Sequence, residues 1–380
     1  MNILFTTTKQ WNVGDEVILR GIRNLIGTRI PRHTYLPWNR HPGIRPGNSF
    51  RDNSFDELRH SFAAVDYTVF AGSPEWSGPR LEPLLNLILK SGKRCAFIGI
   101  GSSNPRFHQS DALRRVLRHH TDAVTCRDQC TYDMLSGLVD PGRLFLLPCP
   151  SIFHATALQP RDRLQVIGLN YQATATKWNN ITESEHEYML GIFQGLAREF
   201  EVRIICNYID DVVGASRFFP RDWLRYSPDH AEFQEFYTEI DALIGTRVHG
   251  CMAAVSRGLP SWLINNTEDL RREGVIEQIP DLRSVVNETP GQVAEMIKQV
   301  SVSETQQSIT RFKASTLERF QPVLDLIKMP PRPEPEATKS GFLHSAHPML
   351  LRRQKFFRLL QELPDRLASE LKRRASERKS

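Results

Sequence analysis

The 380-residue chain contains no apolar run of about 18 residues or more, the length a membrane-spanning helix requires, so none is expected. Its six cysteines (Cys95, Cys126, Cys130, Cys149, Cys206 and Cys251) form no Cys-x-x-Cys pair, which leaves a zinc site without support. Scattered through apolar or element-edge positions, they are expected as free thiols in a reducing cytoplasm. A Walker A sequence is missing, so ATP hydrolysis is not indicated, and the full dinucleotide fingerprint is missing as well. The opening residues, MNILFTTTKQWNVGDE, have no basic segment and only a four-letter apolar run. They read as a first strand rather than a secretory signal.

Charge is also lacking where the overall figure suggests it. The formal net charge is +6, yet residues 341–380 hold ten Lys/Arg against four Asp/Glu, and the rest of the chain carries 39 of each. A neutral body is not expected to bind nucleic acid. The basic excess belongs to a tail, PMLLRRQKFFRLLQELPDRLASELKRR (348–374), with Leu and Phe at helical spacing against Arg and Lys. Its expected partner is an anionic membrane surface or another protein, and its plainer role is a solvated helix resting on its own body. A linker at 329–347, with prolines at 330, 331, 333 and 335, precedes it and reads as stiff and solvated.

What is present is alternation. Short β-rich runs at 2–8, 66–72, 94–101, 122–128 and 143–148 are followed by a second series at 165–171, 201–208, 241–246 and 261–265. Several are near-continuous apolar runs, as in strands buried on both faces of a parallel sheet. Helical patterns lie between them at 15–26, 80–91, 110–120, 184–200 and 248–257, and a long terminal helix is expected over 303–327. The implied fold class is α/β, two Rossmann-like domains facing across a cleft. The expected boundary falls near 150–162, dividing an N-terminal domain (1–155) on the acceptor side from a C-terminal domain (156–328) on the donor side. Ligands of such sheets bind beyond the carboxyl ends of the strands.

Five stretches sit at such strand ends. In TTTKQWNVGDEVI (6–18), Gly14 suits a tight turn and Asp15 is a helix-capping or first-turn acid, or a group that binds or deprotonates a substrate hydroxyl. In VFAGSPEWSGP (69–79), Glu75 and Trp76 are candidates for contacting a sugar ring; otherwise Trp76 anchors an ordinary loop. In FIGIGSSNP (97–105), Gly99 and Gly101 would let the backbone approach a ligand, and Ser102 and Ser103 offer hydroxyls, although a lone Gly-x-Gly is a weak signal. In AVTCRDQCTYDML (123–135), Arg127 presents a planar fork of donors suited to carboxylate or phosphate, and Asp128 is placed to cap the next helix. In IGTRVHGCMAAVSRGLP (244–260), Arg247 and His249 follow a strand and open a helix whose N-terminus attracts anions. A histidine there can exchange a proton near neutral pH. A satisfied internal Arg/His pair is the plainer alternative.

The order of these stretches resembles the polysaccharide pyruvyl transferase family over about residues 1–266. The resemblance rests on Asn12-x-Gly14-Asp15, a strand ending in Gly72, Gly-Ile-Gly at 99–101, RDQCTYDML at 127–135 and GTRVHGCMAAVSRGLPSWLI at 245–264. The last two are the specific ones. The family's R-[DE]-x-x-[ST]-x-x-x-L is present in loosened form. Its G-x-R-x-H-x-x-x-x-A…G-x-P is complete as Gly245, Arg247, His249, Ala254, Gly258 and Pro260. Two features depart from the family: Gly72 is followed by Ser-Pro-Glu-Trp instead of a glycine run, and Cys149-Pro150 stands where aspartate-proline is usual.

The resemblance implies a GT-B-like fold, phosphoenolpyruvate as donor substrate with no separate cofactor or metal, and a sugar or lipid-linked sugar acceptor of an exopolysaccharide or cell-surface glycan. The expected location is cytoplasmic; the tail lies outside the resemblance, and its basic amphipathic pattern makes the inner face of the plasma membrane its expected docking surface. His249 and Asp15 would be catalytic. Arg127, Arg247, Gly245, Gly99, Gly101 and Ser102 would hold the donor, and Asn12, Gly14, Glu75 and Trp76 the acceptor. Two other functions compete. A nucleotide-sugar glycosyltransferase would share the architecture but needs an acidic residue for the ribose, for which there is no clear candidate. A non-catalytic glycan-binding protein is disfavoured by the intact Arg247/His249 pair and left open by the altered glycine run.

Overall fold

Apolar runs with β-branched and aromatic residues bury both faces, and a parallel strand is the element that tolerates this. In the computed structural model, which describes residues 1–7, 13–39, 58–59, 61–72, 81–101, 110–174, 181–265 and 274–327, they form two sheets. The first contains β1 (Asn2–Thr7), β2 (Thr34–Asn39), β3 (Tyr67–Ala71), β4 (Arg94–Ile100), β5 (Thr121–Cys126) and β6 (Leu144–Leu146), in the order β2-β1-β3-β4-β5-β6. The second contains β7 (Val166–Tyr171), β8 (Glu201–Cys206), β9 (Leu224–Arg225), β10 (Ala242–Gly245), β11 (Ser261–Ile264) and β12 (Leu282–Val285), in the order β12-β11-β10-β7-β8-β9. All the pairings are parallel. The chain therefore has two parallel-sheet α/β domains, as the alternating pattern implies.

Three strands were not expected from the pattern, and all are at sheet edges. β2 carries Pro37, which pairs in register with Phe5. An edge strand accepts proline because one of its sides needs no donor. β9 has only two residues, and β12 is half-buried at its two central positions, so neither shows an apolar run.

The helices are α1 (Val13–Arg29), α2 (Glu82–Ser91), α3 (Asp111–His119), α4 (Gln129–Ser136), α5 (Glu183–Leu196), α6 (Ile209–Ala215), α7 (His230–Glu235), α8 (Val248–Val255), α9 (Pro290–Lys298) and α10 (Val302–Leu326). The start of α1 corrects one expectation. It takes in Gly14, so that glycine lies in the first helical turn instead of a tight turn, and Asp15 is a first-turn acid. An acid there opposes the positive end of the helix dipole.

The sheets do not have independent cores. Val17, Ile18 and Ile22 of α1 share one buried cluster with Met252, Ala253 and Ala254 of α8. The small residues of α8 allow that close approach, and the apolar contact fixes the strand ends of both sheets near each other. Between β6 and β7 the chain makes a short 3-10 turn, Pro150–Phe153, that packs beside α1. Helix α10 starts beside the second sheet, where Ser308 Oγ donates to Asp281 Oδ2 at 2.8 Å. It then returns to the first, where Phe320 meets Phe153 edge-on at 6.0 Å and Arg319 donates to Leu146 O at 3.3 Å. All six cysteines are free thiols. Among the described residues, no helix is long and apolar enough to cross a membrane. The linker and the basic tail lie outside the described residues.

Candidate functional site

Each sheet reverses its winding direction at one point, between β1 and β3 in the first and between β7 and β10 in the second. Crevices open at such points, beyond the carboxyl ends of the strands. Asp15 follows β1, and Arg247 and His249 follow β10, so both switch points carry residues that the motifs single out.

Arg127 is the first residue after β5. It is buried, and its Nη1 lies 3.0 Å from Nε2 of His249. This is a bond between the two halves. A guanidinium can only donate, so Nε2 accepts, and a neutral His249 ring carries its proton on Nδ1. The rest of the RDQCTYDML stretch supports Arg127 from below. Asp128 caps α4, its Oδ1 accepting from Thr131 N at 2.7 Å, and Leu135 is fully buried in the core beneath. From the second half, Gln278 Nε2 donates to Arg127 O at 2.6 Å. Among the described residues, Arg127 Nε and Asp128 Oδ2 are buried without a hydrogen-bond partner.

Arg247 is the N-cap residue of α8. Its Nη2 donates to both oxygens of Asp211, at 3.1 and 2.8 Å, and its guanidinium lies 4.6 Å from the centre of the Tyr208 ring. Asp211 is fully buried and also accepts from Ala173 N at 2.9 Å and Tyr208 N at 3.1 Å. Four hydrogen bonds from three donor groups reach this carboxylate, so a charge that would otherwise be costly to bury is well compensated. Tyr208 is pushed up to about 12, first by burial; Arg247 works against the shift, and the carboxylates of Asp15 and Asp211 add to it. Asp15 on α1 thus acts electrostatically on a residue of the other half, within the same junction.

The glycines acquire a task that differs from the expected one. Gly99 has a left-handed φ of 68°, and a Cβ there would lie 2.5 Å from ring atoms of Pro150. At Gly101 a Cβ would lie 2.5 Å from Arg127 Nε, and at Gly245 it would lie 2.5 Å from Asn170 Cβ. In each case protein atoms take the space that was expected to receive a ligand. Gly101 makes room for the functional arginine, and Gly245 for Asn170, which is buried beneath the start of α8. Asn170 Nδ2 donates to Asn207 Oδ1 at 2.8 Å and to Ile205 O at 3.1 Å.

The structure therefore brings Arg127 and His249 into contact and sets Arg247 against Asp211 and the Tyr208 ring. Asn12, Glu75, Trp76 and Ser102 lie outside the described residues. Sequence reasoning missed Asp211, Tyr208, Asn170 and Gln278. Asp211 had a faint signal, an acidic pair after a strand. The others had none, because an isolated Tyr, Asn or Gln is common anywhere.

Two parallel-sheet domains whose strand ends meet through Arg127 and His249 define a GT-B-type fold. The chain is similar in structure to a UDP-N-acetylglucosamine 2-epimerase of Methanocaldococcus jannaschii, at TM-score 0.51 and 10% identity, over 83% of this chain and 99% of that one. A second UDP-N-acetylglucosamine 2-epimerase aligns at TM-score 0.51 and 13% identity, over 84% and 94%. At such identities the likeness is one of fold. No curated protein sequence matches the chain significantly. The sequence model of the polysaccharide pyruvyl transferases does match, over residues 12–268, and the chain belongs to that family. This makes it an enzyme of polysaccharide modification.

Proposed function

We propose that the protein transfers the pyruvyl group of phosphoenolpyruvate to two hydroxyls of one sugar in an exopolysaccharide or cell-surface glycan precursor, forming a cyclic ketal. The observation that carries this reading is the 3.0 Å Arg127–His249 contact between the halves. Phosphoenolpyruvate places a carboxylate and a phosphate close together, and the planar guanidinium of Arg127 suits one of them. An anion bound at Arg127 would lie beside His249 Nε2, which is 3.0 Å from the guanidinium.

In the reaction, His249 delivers a proton to the methylene carbon and C2 becomes electrophilic. A sugar hydroxyl attacks C2, its proton passing to Asp15, and the C2–O bond to phosphate breaks. The second hydroxyl closes the ring. Of the two hydroxyl protons, one balances the new methyl group and the other leaves with phosphate. Arg247, neutralised by Asp211, is better suited to orienting the first turn of α8 and Tyr208 than to holding a full anionic charge. The basic tail is assigned to an anionic membrane surface, where a lipid-linked acceptor would be found.

The test is to incubate the purified protein with phosphoenolpyruvate and candidate saccharides. Phosphate release should accompany a mass gain of one pyruvyl group on the sugar. Turnover with a UDP- or GDP-sugar in place of phosphoenolpyruvate would sink the reading.

A further inference from the structure

We propose that a separate pocket on the second domain, between α5 and α6 at the carboxyl end of β7, binds a neutral sugar unit of the acceptor glycan. The pocket has a volume of about 390 Å³, within the usual range of small-molecule sites. It borders Asp211: Ala173, whose N–H donates to Asp211, is one of its walls. A ligand here would sit next to the junction without entering it.

The chemistry of the lining selects the ligand. Its rim carries three carboxylates, Glu183, Glu187 and Asp210, against one cation, Arg217. That balance repels phosphoenolpyruvate and nucleotide diphosphates. Among the described residues, no group of His, Cys, Asp or Glu has the arrangement to hold a metal ion. Carboxylates and an arginine at exposed positions are instead what sugar hydroxyls bond to.

The second observation is an aromatic series that ends in water. Tyr171 lies on the buried floor, with its hydroxyl 2.8 Å from His186 Nε2 and its ring edge-on to that imidazole at 5.6 Å. His186 in turn meets Phe218 edge-on at 5.8 Å. Phe218 is 44% exposed, and Val213, on the same wall, is 54% exposed. With Ile209, these are three of the four large apolar side chains exposed among the described residues. An aromatic ring held in position and left in water is a platform for the C–H face of a sugar. The hydroxyls at the ring edge then reach the carboxylates.

This rests on the saccharide acceptor of the proposed function, and the two can be tested apart. The probes are methyl glycosides of galactose, glucose, mannose and N-acetylglucosamine, followed by saturation-transfer NMR, with phosphoenolpyruvate titrated separately by calorimetry. Phe218→Ala and Glu187→Gln alter exposed side chains, and thermal unfolding should be unchanged. We expect at least one glycoside to bind, each variant to weaken it about tenfold, and phosphoenolpyruvate affinity to stay the same. Glycoside binding that survives both variants, or no glycoside binding to the unaltered protein, overturns the proposal. So does a dimer in light scattering that Phe218→Ala converts to monomer, which would make the surface a contact between copies. Loss of glycoside binding in a protein that transfers no pyruvyl group would leave the pocket standing and sink the function. Pyruvyl transfer with an unchanged acceptor KM in both variants would do the reverse.

Discussion

Arg127 Nη1 and His249 Nε2 are 3.0 Å apart, although 122 residues separate them and each follows a strand of a different sheet. A donor-only group facing the ring nitrogen makes Nε2 of His249 an acceptor. Removing either side chain should therefore damage more than binding. We expect His249→Ala to lower kcat by about 10²–10⁴, the usual contribution of a proton-transfer group, with phosphate release as the readout. Arg127→Lys keeps the charge and loses the planar fork, and it should fail to restore activity.

The Arg247–Asp211 pair predicts a stability effect. Asp211→Ala removes the acceptor for Arg247, Ala173 N and Tyr208 N together. Breaking one side of a buried ion pair costs roughly 3–5 kcal/mol, so urea unfolding should shift to a much lower midpoint. A shift of only a few tenths of a kcal/mol would mean that water replaces the carboxylate.

Glycine substitutions separate packing from function. At Gly101, a methyl group would meet Arg127 Nε and Asp128 Oδ2. Gly101→Ala should displace the arginine, so its loss of phosphoenolpyruvate affinity should exceed its loss of stability. Gly245→Ala pushes on the Asn170 backbone instead, and overpacking of that kind costs about 1–3 kcal/mol. Affinity measured by calorimetry and midpoints measured in urea should rank the two variants in opposite orders.

Acid should unfold the protein earlier than its carboxylates alone imply. His154 and His230 lie edge-on at 5.8 Å beside Arg257, with Arg20 and Lys313 nearby. Burial and then these cations hold His154 well below its usual value and His230 at about 4. Between pH 6.5 and 4 the unfolded chain binds more protons than the folded one, so stability falls as pH falls through that window. A tenfold loss of proton affinity corresponds to about 1.4 kcal/mol, so His230 alone accounts for roughly 3 kcal/mol. His154→Gln combined with His230→Gln should flatten the profile of unfolding free energy from pH 7 to 4.

The tail can be tested without reference to the site. Residues 341–380 contain the whole positive excess of the sequence. Their deletion should weaken sedimentation with anionic vesicles while leaving turnover of a soluble acceptor intact. Unchanged vesicle binding would remove the membrane role.

The sequence by itself determined the alternation of strands and helices, because burial on both faces demands apolar runs and the runs are visible. It also determined Arg127, Asp128 and His249 as residues at strand ends, because polar groups stand out where an apolar run stops. It could not reveal β2, β9 or β12, since edge strands need no continuous apolar pattern. Nor could it reveal what each polar group faces. Gly99 was expected to clear a path for a ligand, but Pro150 fills that space; Arg247 was expected to hold an anion, and Asp211 already engages it. Only the tertiary structure decided these matters. These approaches join segments from 36 residues apart, for Arg247 and Asp211, to 122 apart, for Arg127 and His249. They are set by how the strands and helices pack, and local pattern carries no record of that.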